Sequence, residues 1–286
     1  MKRVLHLLLP PAIALALTSC SRENSPAEPA APPPPGVSVS LAQWRSDEPA
    51  HRLQVAVRNT GDTPVYFSDL QLVTESFTTL PPQKTEAVIP RTNRTDLPIP
   101  YGQANCDPAG VPPLKPATVV AHLRVGDEPL RQVAFPLPHP DPLLTRLLRD
   151  ECSAFLIKQA ADIAFAPQWR EQGKQLHGTL TVTRRSGTTP LTLQSIDGTT
   201  HYIINPASGR RRPMATLDGT AKSLEIPVVV TPGRCDPHAF AEAKKAHLFP
   251  VRASLGQDQE RVVIVSPDQQ AQRLMVDYAR RTCGLA

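Results

Sequence analysis

The residues best placed to do chemistry lie in one stretch, Cys235-Asp236-Pro237-His238-Ala239-Phe240-Ala241-Glu242-Ala243-Lys244-Lys245-Ala246-His247. Asp236 followed by Pro237 reads as an N-cap and first-turn proline, opening a short helix to about Ala246. His238 and Glu242, four apart, would share a face of that helix, with His247 nearby. Imidazole and carboxylate together are metal-ligating groups. A solvated capping turn with an i, i+4 pair accounts for the same spacing, and the matching part of the first half of the chain lacks both residues. His238 and Glu242 are therefore weak metal candidates, and no metal or other cofactor is expected. Gly209-Arg210-Arg211-Arg212, between Pro206 and Pro213, is a loop tip. The guanidinium groups of Arg210, Arg211 and Arg212 could touch lipid phosphates or envelope polyanions, although a solvated turn is the plainer reading. There is no Gly-x-Ser-x-Gly, His-Glu-x-x-His, glycine-rich phosphate loop or Cys-x-x-Cys. The seven histidines beyond His6 show no triad-like spacing. No enzymatic activity is expected. A cryptic hydrolase is the residual alternative, because triads are set by geometry rather than by order.

The elements that must position these residues follow from composition and pattern. The chain has 286 residues with 33 prolines, 14 glycines and 5% aromatics, which suggests two domains built of strands and turns rather than long helices. Val37–Leu41 and Leu53–Val57 alternate with period two, as half-buried strands do. Asn59-Thr60-Gly61-Asp62 is turn chemistry, so Val65–Val73 is expected to return as a hairpin partner. Val119–Val125 and Gln132–Phe135 read as a second hairpin. Asp141-Pro142 then opens a helix whose apolar stripe, Leu143, Leu144, Leu147 and Leu148, leads to Cys152. In the second half, strands are expected at Asp162–Ala166, Gly178–Thr183, Leu191–Ile196, His201–Ile204, Leu224–Val230, Val251–Leu255 and Arg261–Val265. A helix capped at Ser266, with Leu274, Met275 and Tyr278 on one face, ends the chain.

The two halves are copies of one another. Gln43-Trp44-Arg45 recurs as Gln168-Trp169-Arg170, and Arg58-Asn59-Thr60-Gly61-Asp62-Thr63-Pro64-Val65 as Arg184-Arg185-Ser186-Gly187-Thr188-Thr189-Pro190-Leu191. Leu97-Pro98-Ile99-Pro100 recurs as Leu224-Glu225-Ile226-Pro227, Cys106-Asp107-Pro108 as Cys235-Asp236-Pro237, and Cys152 as Cys283. The order is kept and the offset drifts only from 125 to 131. The expected architecture is mainly β: two tandem homologous β-sandwich domains, broadly immunoglobulin-like, at 37–152 and 153–286. The matched tryptophans are expected as core anchors. Four cysteines permit three pairings. Equivalent domains should make equivalent bonds, which selects Cys106–Cys152 and Cys235–Cys283, each pinning a short C-terminal helix.

The beginning of the chain reads as an address. Lys2 and Arg3 precede an apolar stretch, Val4–Leu17, of secretory-signal length. Leu17-Thr18-Ser19-Cys20 resembles the lipobox of bacterial lipoproteins. That resemblance implies a signal peptide, 1–19, removed before Cys20, and a diacylglycerol on the Cys20 thiol. Losing Lys2 and Arg3 lowers the net charge from +5 to +3, weak attraction for nucleic acid or any other polyanion. Residues 20–36 hold four consecutive prolines and read as an extended tether. Arg234-Cys235-Asp236-Pro237-His238-Ala239-Phe240-Ala241-Glu242 resembles uncharacterised exported proteins of high-GC actinobacteria and carries no known activity with it. The expected protein is an exported, non-enzymatic envelope lipoprotein. It would be held to the membrane by lipid, facing away from the cytoplasm, and bind another envelope protein or polymer. The alternative is a substrate- or metal-binding lipoprotein serving a transporter.

Overall fold

The structure, a computed structural model, describes residues 30–210 and 212–285, apart from the Glu242 side chain. The signal peptide, Cys20 and Arg211 lie outside the described residues. Seven strands form the first sandwich: β1 (Val37–Ala42), β2 (Arg52–Asn59), β3 (Val65–Thr74), β4 (Gln83–Ile89), β5 (Thr92–Pro100), β6 (Ala117–Val125) and β7 (Arg131–Pro136). They pair antiparallel as a three-stranded sheet, β1-β2-β5, facing a four-stranded sheet, β4-β3-β6-β7. Alternation sends Leu53, Val55, Val57, Phe67, Leu70, Val119, Ala121 and Leu123 inward, each fully or almost fully buried. The helix α1 (Pro142–Ala160) follows.

The second sandwich contains β8 (Ala161–Phe165), β9 (Arg170–Gln172), β10 (Gln175–Arg184), β11 (Leu191–Ile196), β12 (Tyr202–Pro206), β13 (Ala215–Leu217), β14 (Ser223–Pro232), α2 (Pro237–Glu242), β15 (Phe249–Leu255), β16 (Arg261–Val265) and α3 (Gln269–Cys283). Its sheets run β8-β10-β14-β12, with β9 on β10, and β13-β11-β15-β16. Removing β9 and β12 leaves the strand order of the first sandwich, so the duplication is written in the pairing. In both copies the fourth strand joins the third, not the fifth. Constant-type immunoglobulin domains place their fourth strand in the opposite sheet. The fold is immunoglobulin-like in its layers, with that strand switched.

Four expectations about the strands and helices change. β2 and β3 are not a hairpin, because they lie in opposite sheets. Asn59, 1% exposed, turns the chain across. Its Oδ1 accepts from the Gly61 N–H (3.0 Å), and its Nδ2 donates to the carbonyls of Thr63 (3.1 Å) and Ile89 (3.2 Å). In the second copy Arg184 does the same work. Its guanidinium donates to the carbonyls of Thr189 (3.0 Å) and Leu217 (3.2 Å), and to those of Gly187, Asp218 and Ala221. Strands β4 and β5 went unread, since Gln83–Glu86 and Thr92–Asp96 are polar and Pro98 and Pro100 interrupt. A sheet edge tolerates both, and β5 lies at one.

The third change is α1. Asp141 caps it as expected, accepting from the Leu144 N–H at 2.9 Å. The helix does not stop at Cys152, however. No glycine or proline interrupts 143–160, and the buried stripe continues through Leu156 and Ile157. Leu144, Leu147, Leu148 and Cys152 belong to the first core and Ile157 to the second. The boundary drawn at 152/153 falls inside a helix that serves both domains. The fourth change is smaller. α2 ends at Glu242 rather than near Ala246, and α3 is capped by Asp268, which accepts from the Ala271 N–H at 2.8 Å, not by Ser266.

Both disulfides join the pairs that the repeat selects. Cys106–Cys152 and Cys235–Cys283 each span 5.2 Å between Cα atoms. Such bonds persist in an oxidising environment outside the cytoplasm. Beside the first, Glu151 accepts the Ala104 N–H (2.9 Å) and meets His51 Nε2 (2.9 Å), while His51 Nδ1 faces the Tyr101 carbonyl (2.8 Å). Burial, and then the Glu151 carboxylate, push the Tyr101 phenol up to about 12. The proline run is docked rather than free. Ala31 donates to the Gln132 carbonyl (2.8 Å) and accepts from the Ala134 N–H (3.0 Å), and Pro34 is buried. Ala31 thus pairs with the β7 edge, a feature that discourages edge-to-edge association.

The tryptophans part company. Trp169 lies over Gly178, where a Cβ would come within 2.4 Å of the indole, and packs on the second core. Val55 opposite Leu97 and Val182 opposite Leu224 set the two registers side by side, so His51 stands where the second copy has Gly178. Trp44 has no such platform and is 54% exposed, contrary to its expected role as a core anchor.

Candidate functional site at the domain junction

The residues singled out around α2 meet the first domain. Asp236 caps α2, accepting from the Ala239 N–H at 2.8 Å. That bond, then Arg234 at 3.0 Å and His238, hold its carboxyl below the ordinary carboxylate range. Lys245, just beyond α2, pairs with Glu48 of the first domain. Arg45, which follows β1, comes to the same place. Arg45, Thr200, Arg234, His238, Lys244 and Lys245 line an open cleft of about 440 Å³. Among the described residues no three His, Cys, Asp or Glu side chains gather as metal ligands, and His238 points from an exposed position.

Behind the cleft, α2 sits on aromatic packing. His201, 4% exposed, stacks on Phe240 at 4.3 Å and faces the Ala239 carbonyl through Nε2 at 3.0 Å. Tyr202 is fully buried beside Phe249, and its hydroxyl reaches His247 Nε2 at 3.3 Å. Burial, and then His201, lower the His247 pKa; burial raises that of Tyr202. His247 also borders a second cleft, of about 370 Å³, with Gln269, Gln272, Arg273, Val276 and Asp277. Neutral His247 accepts the Tyr202 hydroxyl, and protonation removes that acceptor. A depressed folded-state pKa means that the unfolded chain binds the proton more readily. The stability His247 contributes is therefore complete above about pH 6.5 and is lost as pH falls through its lower folded value. The urea midpoint should drop between pH 8 and pH 5, and His247→Gln should flatten that drop. An unchanged slope would remove His247 from the account.

The other sequence candidates lie apart from this cleft. Arg212 is engaged within the domain, bonding both oxygens of Glu260 at 2.6 Å, while Arg210 is exposed on the same loop. Sequence reasoning missed Arg45, Thr200, Lys244 and Lys245 as a group. Arg45 stood in a quoted repeat match, but nothing local brings it to residues about 200 positions away.

No protein-family model matches the chain, and no curated protein matches it. Solved structures with some likeness include red sea bream transglutaminase, at 10% identity over 82% of this chain and 31% of that one, with a TM-score of 0.23. Another is a glycosyl hydrolase family 2 member from Bacteroides cellulosilyticus, at 11% identity over 76% and 24%, TM-score 0.19. A third is Salmonella alpha-2-macroglobulin, at 13% identity over 84% and 15%, TM-score 0.20. The chain spans less than a third of each of these three chains. Such likenesses carry no functional argument, and the fold rests on the strand pairing described above.

Proposed function

We propose that this is an exported, lipid-anchored envelope protein of non-enzymatic, binding type, whose two sandwiches present the junction between them to a ligand. The observation that carries the reading is α1. It inserts into both cores, and with the Lys245–Glu48 pair it makes the junction a built surface rather than a hinge between independent modules. The disulfides fit an exported protein, and among the described residues no helix is long and apolar enough to cross a membrane. In this reading the anchor is the lipid on Cys20. With Ala31 paired to β7, residues 21–30 would supply a spacer of at most ~36 Å, which keeps the domains close to the membrane surface. The concave form of the junction also supports a second reading, a lipoprotein that presents a small ligand to a transporter.

Cell fractionation tests the anchor. The wild-type chain should sediment with membranes, resist alkaline carbonate and dissolve in detergent. The Cys20→Ala chain should leave the membrane fraction. Equal partitioning of the two would end the proposal.

A further inference from the structure

We infer that the junction cleft binds a small ligand bearing a doubly charged phosphate group; this deepens the binding role proposed above and rests on it. Four cations, Arg45, Arg234, Lys244 and Lys245, together with His238 and the Thr200 hydroxyl, line one concavity of about 440 Å³. They come from three separate segments: the turn after β1 (Arg45), the β11–β12 loop (Thr200) and the stretch that begins before α2 and ends in the turn after it (Arg234, His238, Lys244 and Lys245). Two carboxylates offset them, Asp236 on Arg234 and Glu48 on Lys245. Among the described residues Arg45 and Lys244 have no ion-pair partner, so the described side chains leave about two positive charges facing the cleft. A carboxylate would neutralise one of them, whereas a phosphate monoester near neutral pH carries close to two. Two planar guanidinium forks, two ammonium groups and a hydroxyl line the cleft together. A tetrahedral oxyanion has acceptor oxygens to meet them, and arginine forks suit phosphate in particular. Like-charged groups held together by the fold repel one another, and a bound dianion relieves that repulsion.

The cations that hold the junction are distinct from those that stay available. Lys245 ties the domains and Arg234 braces the α2 cap, whereas Arg45 and Lys244 are exposed and, among the described residues, enter no side-chain hydrogen bond. Reversing the latter pair should change binding and leave folding alone.

The test is calorimetric titration of the full-length purified protein with pyrophosphate and with glycerol phosphate. Arg45→Glu and Lys244→Glu should each weaken binding at least tenfold with an unchanged urea midpoint. Arg210→Glu, on an equally exposed arginine away from the cleft, should weaken it less than twofold. A second arm adds the Cys20→Ala chain, which lacks the proposed lipid, to vesicles of phosphatidylglycerol or of phosphatidylcholine. Binding confined to soluble phosphates supports the inference as stated. Binding confined to phosphatidylglycerol, and lost with Arg45→Glu, overturns the soluble ligand and assigns the phosphate to a headgroup. Absence of both, or losses as large with Arg210→Glu as with Arg45→Glu, overturns the site. None of these outcomes alters the Cys20 fractionation result, so the anchor and the ligand stand or fall separately.

Discussion

Replacing Cys106 and Cys152 together by alanine should destabilise the protein by about 4 kcal/mol, the value the chain-entropy argument assigns to a loop of this length. The sequence separation is 46 residues. Cys152 is fully buried in α1, so alanine, which buries no hydroxyl, isolates the bond from a solvation penalty. Against a total of ~5–15 kcal/mol for a folded domain, this is a large fraction. The loss should not stay in the first domain. α1 carries Ile157 into the second core, and Trp169 there offers a half-buried reporter. Its emission midpoint in urea should fall along with that of the whole chain. A Trp169 transition unmoved by the double replacement would mean that α1 does not couple the domains, and the built junction would lose its main support. The Cys235–Cys283 bond closes a similar loop, with a separation of 48, but ends in the last turn of α3. Its removal should leave the Trp44 environment unchanged.

Arg184→Ala should cost about 3 kcal/mol, since charge-assisted hydrogen bonds contribute ~1.5–3 kcal/mol and several carbonyls lose their donor together. One guanidinium serves five carbonyls across the β10–β11 crossing and the β13 end. Arg184→Lys keeps the charge without the fork and should recover less than half of the loss. Urea unfolding followed by Trp169 emission measures both. A midpoint within experimental scatter of wild type would show that water replaces the guanidinium at no cost. Arg184 and Asn59 hold equivalent carbonyls with unlike side chains, so the crossing is the preserved feature and the residue is not.

That exchange explains how much of the fold could be read in advance. Alternation at Val119–Val125 and Arg261–Val265 and the Asp141-Pro142 start are local signals, and the structure follows them. Partner choice is not local. Val65–Val73 alternates whether it returns on β2 or crosses to the opposite sheet, and Asn59 decides between these by contacts 30 residues away. Polar β4 and proline-bearing β5 are held by their neighbours rather than by their own pattern. The disulfide pairing was legible only because the chain is duplicated, which supplied a second measurement of one arrangement. The cleft was the least legible part. His238 stands out by its spacing to Glu242 on a helix face, and in the fold it lines the cleft with Arg45 and Lys244. Their convergence depends on how the two domains meet across α1.

Export and a membrane anchor at Cys20 are proposals that the protein's own N-terminus can test. The most direct test is the mass of the N-terminal peptide of the protein extracted from membranes. The expected chain begins at Cys20 and carries a diacylglycerol thioether. An unmodified Cys20, or a chain beginning at another residue, would contradict it.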